Sequence, residues 1–313
     1  MNFKASRWTA APYLVWMVIF IVVPLILIAV FAFTTTVKVD ENGNRLTEEE
    51  VAEIEEYYAE MNEENGTELE PEFGEKTVFT FANILKVNDY LPVLFKSLLL
   101  AFIATVICLV IAYPLAYFIS RHSGNSQKVM VMLVMLPMWM NFLLRTYAWM
   151  TLLERNGWIN KFFAMFGAGP FEMINTQGAV VLGMVYNYLP FMILPLYSIM
   201  VKIDDRTIEA SSDLGANWLA TFSRVILPLS LPGIASGITM VFVPAISTFI
   251  ISRMLGGGTN MLIGDLIDLQ FLGNAYNPNL GAAIALVLMA FILLCMSITN
   301  QLDNQDMEDG VVL

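Results

Sequence analysis

Charge is what this sequence has least of. Of its 313 residues only 14% are charged, against 57% hydrophobic. Soluble domains run near one quarter charged, so the expected solvent is a bilayer. Histidine is reduced to one residue, His122, beside Arg121 in a short polar stretch; it has no ligand-spaced partner and reads as a solvated loop residue. Cys108 and Cys295 both lie inside apolar runs, where they read as small buried hydrophobes with no disulfide framework or metal spacing. No glycine is followed by lysine, so the phosphate-cradling GxxxxGK[ST] loop is missing. The run Gly256-Gly257-Gly258-Thr259 lacks that lysine, and any ATP the protein uses must be hydrolysed by another chain. No nucleophile–base set or metal cluster appears in any apolar run. The chain therefore reads as no enzyme, with no metal and no cofactor.

What is present is a series of long charge-free stretches: 8–37, 97–120, 129–144, 173–201, 225–252 and 269–302. A span needs roughly 20 mostly apolar residues. Five stretches clear that length, and the third does so if Arg145 is accepted inside a helix continuing through 147–153. The expected fold is an all-α membrane protein with transmembrane helices at about 12–33, 93–120, 129–152, 178–200, 225–252 and 280–300. The apolar start lacks a small-residue cleavage site and is too long for a signal-peptide core, so it reads as an uncleaved first span. Residues 157–166 read as a short interfacial helix with Trp158, Ile159, Phe162 and Phe163 on one side. Residues 261–271 read as a helix lying against the bundle. Pro24, Pro114, Pro137, Pro190, Pro195, Pro228, Pro232 and Pro244 are each expected to bend a helix.

The net charge of −12 is local. Residues 34–90 hold 16 of the 28 acids and 4 of the 16 bases, and the rest is balanced. Short-loop bases give the orientation. With the N-terminus inside, the inner side collects Lys4, Arg7, Arg121, Lys128, Lys202, Arg206 and Arg224, against Arg155, Lys161 and Arg253 outside. The expected organisation is a cytoplasmic N-terminus at 1–11 and a first helix at 12–33. An acidic extracytoplasmic loop follows at 34–90, then a permease core at 91–302 and a cytoplasmic tail at 303–313. Inside the acidic loop, Val51, Ile54, Tyr58 and Met61 recur at helical spacing over 47–64, and Thr47 with Glu50 makes a capping-box start. This helix reads as a solvated insertion, a contact surface for a substrate-delivering partner, or an electrostatic lure for cations.

The segment 202–232, KIDDRTIEASSDLGANWLATFSRVILPLSLP, is the most informative. Asp205 or Thr207 is expected to cap a helix starting at Ile208, Gly215 to end it, and a second short helix to run over 217–223 toward Pro228. Leu214, Trp218, Leu219 and Phe222 are left available for packing. This segment resembles the conserved loop of ABC importer permeases, E-A-A-x3-G-x9-I-x-L-P. Glu209, Ala210 and Gly215 match its opening, and Leu227 and Pro228 its close; Ser211 departs from the second alanine and Val225 from the isoleucine. In that family the loop is a cytoplasmic coupling helix seated on the ATPase. The resemblance implies that Glu209, Ala210, Ser211, Asp213, Leu214 and Gly215 form the ATPase contact. The likeness extends over roughly 80–300. It runs through Leu136-Pro137-x-Trp139-x-Asn141-x-Leu143-x-Arg145-x-Tyr147, Leu189-Pro190-Phe191-Met192, Leu262-Ile263-Gly264 and Gln270-Phe271-Leu272. In these stretches the chain is similar to the PotB-type permeases of spermidine/putrescine importers. That implies a type I importer fold and partners like the PotA ATPase, the PotC permease and the PotD extracytoplasmic binding protein. The acidic stretch at about 40–75 looks longer than the family usually carries.

Ionisable groups inside spans are functional candidates by default. Lys96 lies near a helix end and reads as a snorkelling anchor. Arg145, flanked by Asn141 and Tyr147, either holds a structural hydrogen-bond network or faces the path. Arg253 is expected to pair with Asp265 or Asp268 near the outer mouth, as a structural pair or as a gate. A polyamine path needs carboxylates and aromatic faces, which Trp139, Tyr186, Tyr188, Phe249, Asp265 and Asp268 could supply. The same architecture could carry a metal ion or an oxyanion. A secondary transporter, the remaining class, calls for internal repeats, and none is evident.

Overall fold

The computed structural model describes residues 12–40, 44–65, 71, 73–273 and 276–309. Lys4 and Arg7, on which part of the orientation count rests, lie outside the described residues, as do 310–313 of the expected tail. Among the described residues five helices are long and apolar enough to cross a membrane, and six if one sharply bent pair counts as a single span. The chain divides into two compact units, 1–89 with 270–288, and 90–269 with 289–313.

In the first unit, α1 (Pro12–Ala32) presents apolar side chains outward along almost its whole length. A wide π-turn at Val18–Val22 precedes Pro24. Proline removes one backbone donor and its ring clashes with the carbonyl four residues earlier; the wider turn relieves both. Strand β1 (Thr34–Val39) then pairs antiparallel with β2 (Gly74–Phe79), Thr34 opposite Phe79 and Val39 opposite Gly74. This two-stranded sheet is an addition to the expected all-helical chain. Between the strands runs the acidic α2 (Glu48–Asn65). Its capping box is formed as expected. The Thr47 N–H donates to Glu50 Oε2 at 2.7 Å, and the Glu50 N–H donates to Thr47 Oγ1 at 3.3 Å. Lys38 of β1 pairs with Glu55 of α2 at 2.7 Å. Buried Asn83 donates to the carbonyl of Thr34 at 2.8 Å, and Asn279 donates to the same oxygen at 2.7 Å.

The core of the second unit is α3 (Leu91–Ser120), α7 (Gln177–Met200) and α10 (Leu227–Ile246) packed together. Helix α3 buries Ala101, Ala104, Cys108, Ala112 and Ala116 and exposes Phe102, Val106 and Val110. Small residues on one stripe let helix backbones approach closely where no hydrophobic drive separates protein from lipid tails. The glycines of α10 serve the same end against α7: a Cβ on Gly237 would lie 2.6 Å from the Met192 sulfur. Cys108 is fully buried among these helices, in line with its reading as a small hydrophobe.

Two expected spans are broken. The third is not one helix over 129–152. It consists of α4 (Gly124–Trp139) and α5 (Phe142–Leu153), and the chain turns by 89° where α4 meets the helices that follow it. The fifth is not continuous over 225–252, because α10 ends at Ile246 and α11 (Ile250–Gly256) begins after a short gap. Both breaks come three residues beyond a proline, Pro137 and Pro244. Between them lie α6 (Trp158–Ala164), α8 (Asp205–Asp213) and the four-residue α9 (Trp218–Thr221). After α11 come α12 (Ile263–Leu272) and α13 (Pro278–Asp309). Helix α13 therefore continues beyond the expected end near residue 300, through most of the segment taken for a tail.

The Thr47 backbone and hydroxyl groups hold the Glu50 carboxyl below the usual carboxylate range. A depressed folded value means that this contribution to the α2 start is present above the ordinary carboxylate range. It is lost as pH falls through the depressed value. Thr47→Ala is expected to speed amide exchange in the first turn of α2 near neutral pH and to matter much less in acid. Hydrogen–deuterium exchange of the whole chain at both pH values reads this.

Candidate functional site

Two constructions in the second unit concentrate polar chemistry. The first is a knob at 202–226. Asp204, rather than the expected Asp205 or Thr207, caps α8, its Oδ1 accepting the Arg206 N–H at 3.0 Å. An acid at the first turn also suits the positive end of the helix. The helix stops where expected: Gly215 has φ +83°, a left-handed conformation open to glycine, and its N–H and that of Ala216 return to the carbonyls of Ser212 and Ser211. Asn217 caps the second helix by accepting the Ala220 N–H at 2.9 Å. That helix is shorter than the expected 217–223. It passes through a π-turn at Phe222–Ile226 into α10, directly ahead of Pro228, as the turn before Pro24 does in α1.

Ser211, the departure from alanine, joins the two helices. Its hydroxyl lies 2.9 Å from that of buried Thr221, and either can donate. Trp218 stacks on Phe222, which meets the ring of Tyr113 edge-on. Phe222 thus packs inward, whereas Leu214 (90% exposed), Trp218 and Leu219 stand in the open beside exposed Glu209, Ala210 and Asp213. The result is an exposed apolar patch framed by acids, held on a capped and sharply reversed pair of helices.

The second construction surrounds the break at 247–249. Ending α10 there frees carbonyls that lipid cannot satisfy. The buried Tyr188 hydroxyl donates to the carbonyl of Pro244 at 3.3 Å, with Thr248 beside it and Arg145 within electrostatic reach. Gly264 lies against the same break: a Cβ there would be 2.6 Å from the carbonyl oxygens of both Ser247 and Thr248. The start of α12 is fixed by two side chains. The Leu262 N–H donates to Asp265 Oδ2 and the Ile263 N–H to Ser97 Oγ, each at 2.8 Å. Lys96, read as an anchor, donates to Asn260 at 3.2 Å, and Asn260 donates to the carbonyl of Asn175 at 2.9 Å.

Of the two pairings open to Arg253, the structure forms the ion pair with Asp268. The Arg253 guanidinium also lies 5.8 Å from the Phe249 ring. Asp265 is buried with Ser252 beside it, and its Oδ1 has no hydrogen-bond partner among the described residues. Phe249, Arg253, Asp265 and Asp268 therefore come together, and Arg145 lies within electrostatic reach of Tyr188. The rest stand apart. Tyr186 packs edge-on against Trp149, Trp139 is exposed, and Asn141 caps α5 through the Leu143 and Leu144 N–H groups. Asn141 Oδ1 is thereby engaged with backbone rather than with Arg145. Arg145 is 7% exposed, and its Nε and Nη1 find no acceptor among the described residues. Sequence reasoning missed Ser97, Asn175, Asn260 and the contact made by Gly264; only the Leu-Ile-Gly run hinted at the last.

The chain matches the family described as "Binding-protein-dependent transport system inner membrane component" over residues 93–305. It is 39% identical over 240 residues to the spermidine/putrescine transport system permease protein PotB of Escherichia coli K12, covering 74% of this chain and 87% of that one. It is 34% identical over 313 residues to the PotB of Haemophilus influenzae Rd, covering 98% of both. Among solved structures, the fold is shared with a chain of a bacterial ABC transporter that imports the acidic polysaccharide alginate. The TM-score is 0.71 at 14% identity, covering 96% of each chain. A chain of the MetNI methionine ABC transporter aligns with a TM-score of 0.50 at 17% identity, over 69% of this chain and 95% of that one.

Gly264→Ala is expected to destabilise the bundle by about 1–3 kcal/mol, because the added carbon meets backbone that cannot yield. Gly178→Ala, whose Cβ would find only the Thr176 hydroxyl at 3.7 Å, should stay within about 0.5 kcal/mol of wild type. Unfolding midpoints of the detergent-solubilised protein compare the two.

Proposed function

The chain belongs to the binding-protein-dependent transport system inner membrane components, and on that premise we propose that it is the permease subunit of an ATP-driven polyamine importer. It is a multi-pass membrane protein with the fold of ABC importer permeases. The substrate class rests on the likeness to two spermidine/putrescine permeases, one along nearly the whole chain. With both termini cytoplasmic, the knob at 202–226 faces the cytoplasm and seats on a separate PotA-like ATPase through Leu214, Trp218, Leu219, Glu209 and Asp213. A PotC-like second permease completes the path, and a PotD-like binding protein delivers substrate from outside, where residues 34–90 lie. ATP-driven closure of the ATPases moves the knobs and alternates access across the bundle.

The single observation that carries the site is the pair of carboxylates on α12. Asp265 and Asp268 are three residues apart and share a helix face, matching a ligand with cationic groups along an extended chain. Asp265 Oδ1 has no hydrogen-bond partner among the described residues. Asp268 is largely covered, at 19% side-chain exposure, whereas the Arg253 side chain is 52% exposed. Arg253 can therefore swing away while the carboxylate stays, and an arriving ammonium takes its place over the Phe249 ring. In this reading the ion pair is a gate that the substrate itself opens, and Tyr188 and Arg145 support the broken helix behind it.

Co-expression with the ATPase, second permease and binding protein should give ATP-dependent uptake of labelled spermidine or putrescine into vesicles, with ferric ion and sulfate excluded. Uptake of either competitor in place of polyamine would sink the substrate assignment. Leu214→Asp should abolish co-purification of the ATPase. Asp268→Asn should assemble normally and lower uptake about tenfold, the worth of one charge-assisted hydrogen bond; unchanged uptake would remove Asp268 from the path.

A further inference from the structure

Arg121, one of the bases counted on the inner side, touches three elements at once. It is the residue that closes α3, its N–H returning to the carbonyl of Tyr117 at 3.2 Å. Its Nη2 donates to the carbonyl of Met200 at 2.7 Å and its Nη1 to that of Ile203 at 3.2 Å, at the open C-terminal end of α7. The same Nη1 pairs with Asp205, in the first turn of α8. One planar guanidinium therefore sits at the negative ends of α3 and α7 and reaches, through a carboxylate, the positive end of α8. Its side chain is only 20% exposed, so solvent screens these contacts weakly.

We propose that Arg121 is a positioning residue that locks the knob to α3 and α7, so that a push on α8 moves the spans instead of bending residues 201–204. The proposal rests on the reading of the knob as an ATPase dock. The short link between α7 and α8 has no regular structure of its own; among the described residues its other ties are local backbone turns, the Asp204 cap of α8 and the buried Ile203 side chain, and its reach to α3 runs through the guanidinium. Lysine cannot replace the fork, since a single ammonium does not reproduce two carbonyl contacts and a carboxylate contact in one plane.

The test uses the assembled importer in vesicles and reads substrate imported per ATP hydrolysed. Arg121→Gln is expected to retain ATPase capture and ATP hydrolysis while import per ATP falls at least about fivefold. Amide exchange across 203–214 should rise. Arg121→Lys should behave nearly as badly, and Asp205→Asn, which keeps both carbonyl contacts, should fall between. Normal capture with an unchanged import-to-ATP ratio in Arg121→Gln overturns the clamp and leaves the docking reading intact. Should Arg121→Gln not assemble, an unchanged ratio in both Arg121→Lys and Asp205→Asn overturns it equally. Failure of the wild-type chain to capture any ATPase removes the docking reading, and the clamp with it.

Discussion

Two spans are interrupted inside an apolar bundle, and each backbone group freed there must be answered by protein, because lipid answers none. The rest of the transport core follows from that constraint. At the first break Asn141 folds its side chain over the Leu143 and Leu144 N–H groups. At the second, Tyr188 takes the Pro244 carbonyl, while Gly264 brings α12 against the carbonyl oxygens of Ser247 and Thr248. Helix α12 can lie there only because its own first N–H groups are taken by Asp265 and Ser97. The residues that repair the backbone are thus the neighbours of the Arg253–Asp268 ion pair.

The ends of the helices carry the second layer of organisation. Lys96 at the start of α3 meets Asn260 beyond α11, and Arg121 at its end meets the link between α7 and α8. Helix α3 therefore ties the segment before α12 to the knob at opposite ends of one helix. Between those ends, Ala101 through Ala116 hold α3 close to α7 and α10, so displacement at one end is not absorbed by loose packing.

Much of this was legible. Charge-free runs marked where the long apolar helices lie, though not where two of them break, because hydrocarbon thickness sets a length that composition must obey. Gly215 announced the reversal of the knob, since φ +83° is a conformation that side chains with a Cβ disfavour. Thr47 and Glu50 announced the start of α2 through their spacing alone. The breaks were not legible. Pro137 and Pro244 precede them by three residues, yet Pro114, Pro190, Pro195 and Pro232 sit inside continuous helices. A proline frees the same backbone groups in every case; whether the helix then stops depends on which side chains of other helices are near enough to receive them.

The sequence by itself determined the long apolar helices, the reversal at Gly215 and the pair of carboxylates on one helix face, because each follows from local composition or from spacing along a single helix. Only the tertiary structure decided that Arg253 pairs with Asp268 rather than Asp265, that Asp265 turns instead to the Leu262 N–H, and that Arg121 is a junction rather than one more inner-side base. The reason is common to all three. A helix fixes which residues share its face, but the rotation and depth at which it lies against its neighbours come from packing many residues away, here from the glycines and alanines that allow α3, α7, α10 and α12 to approach.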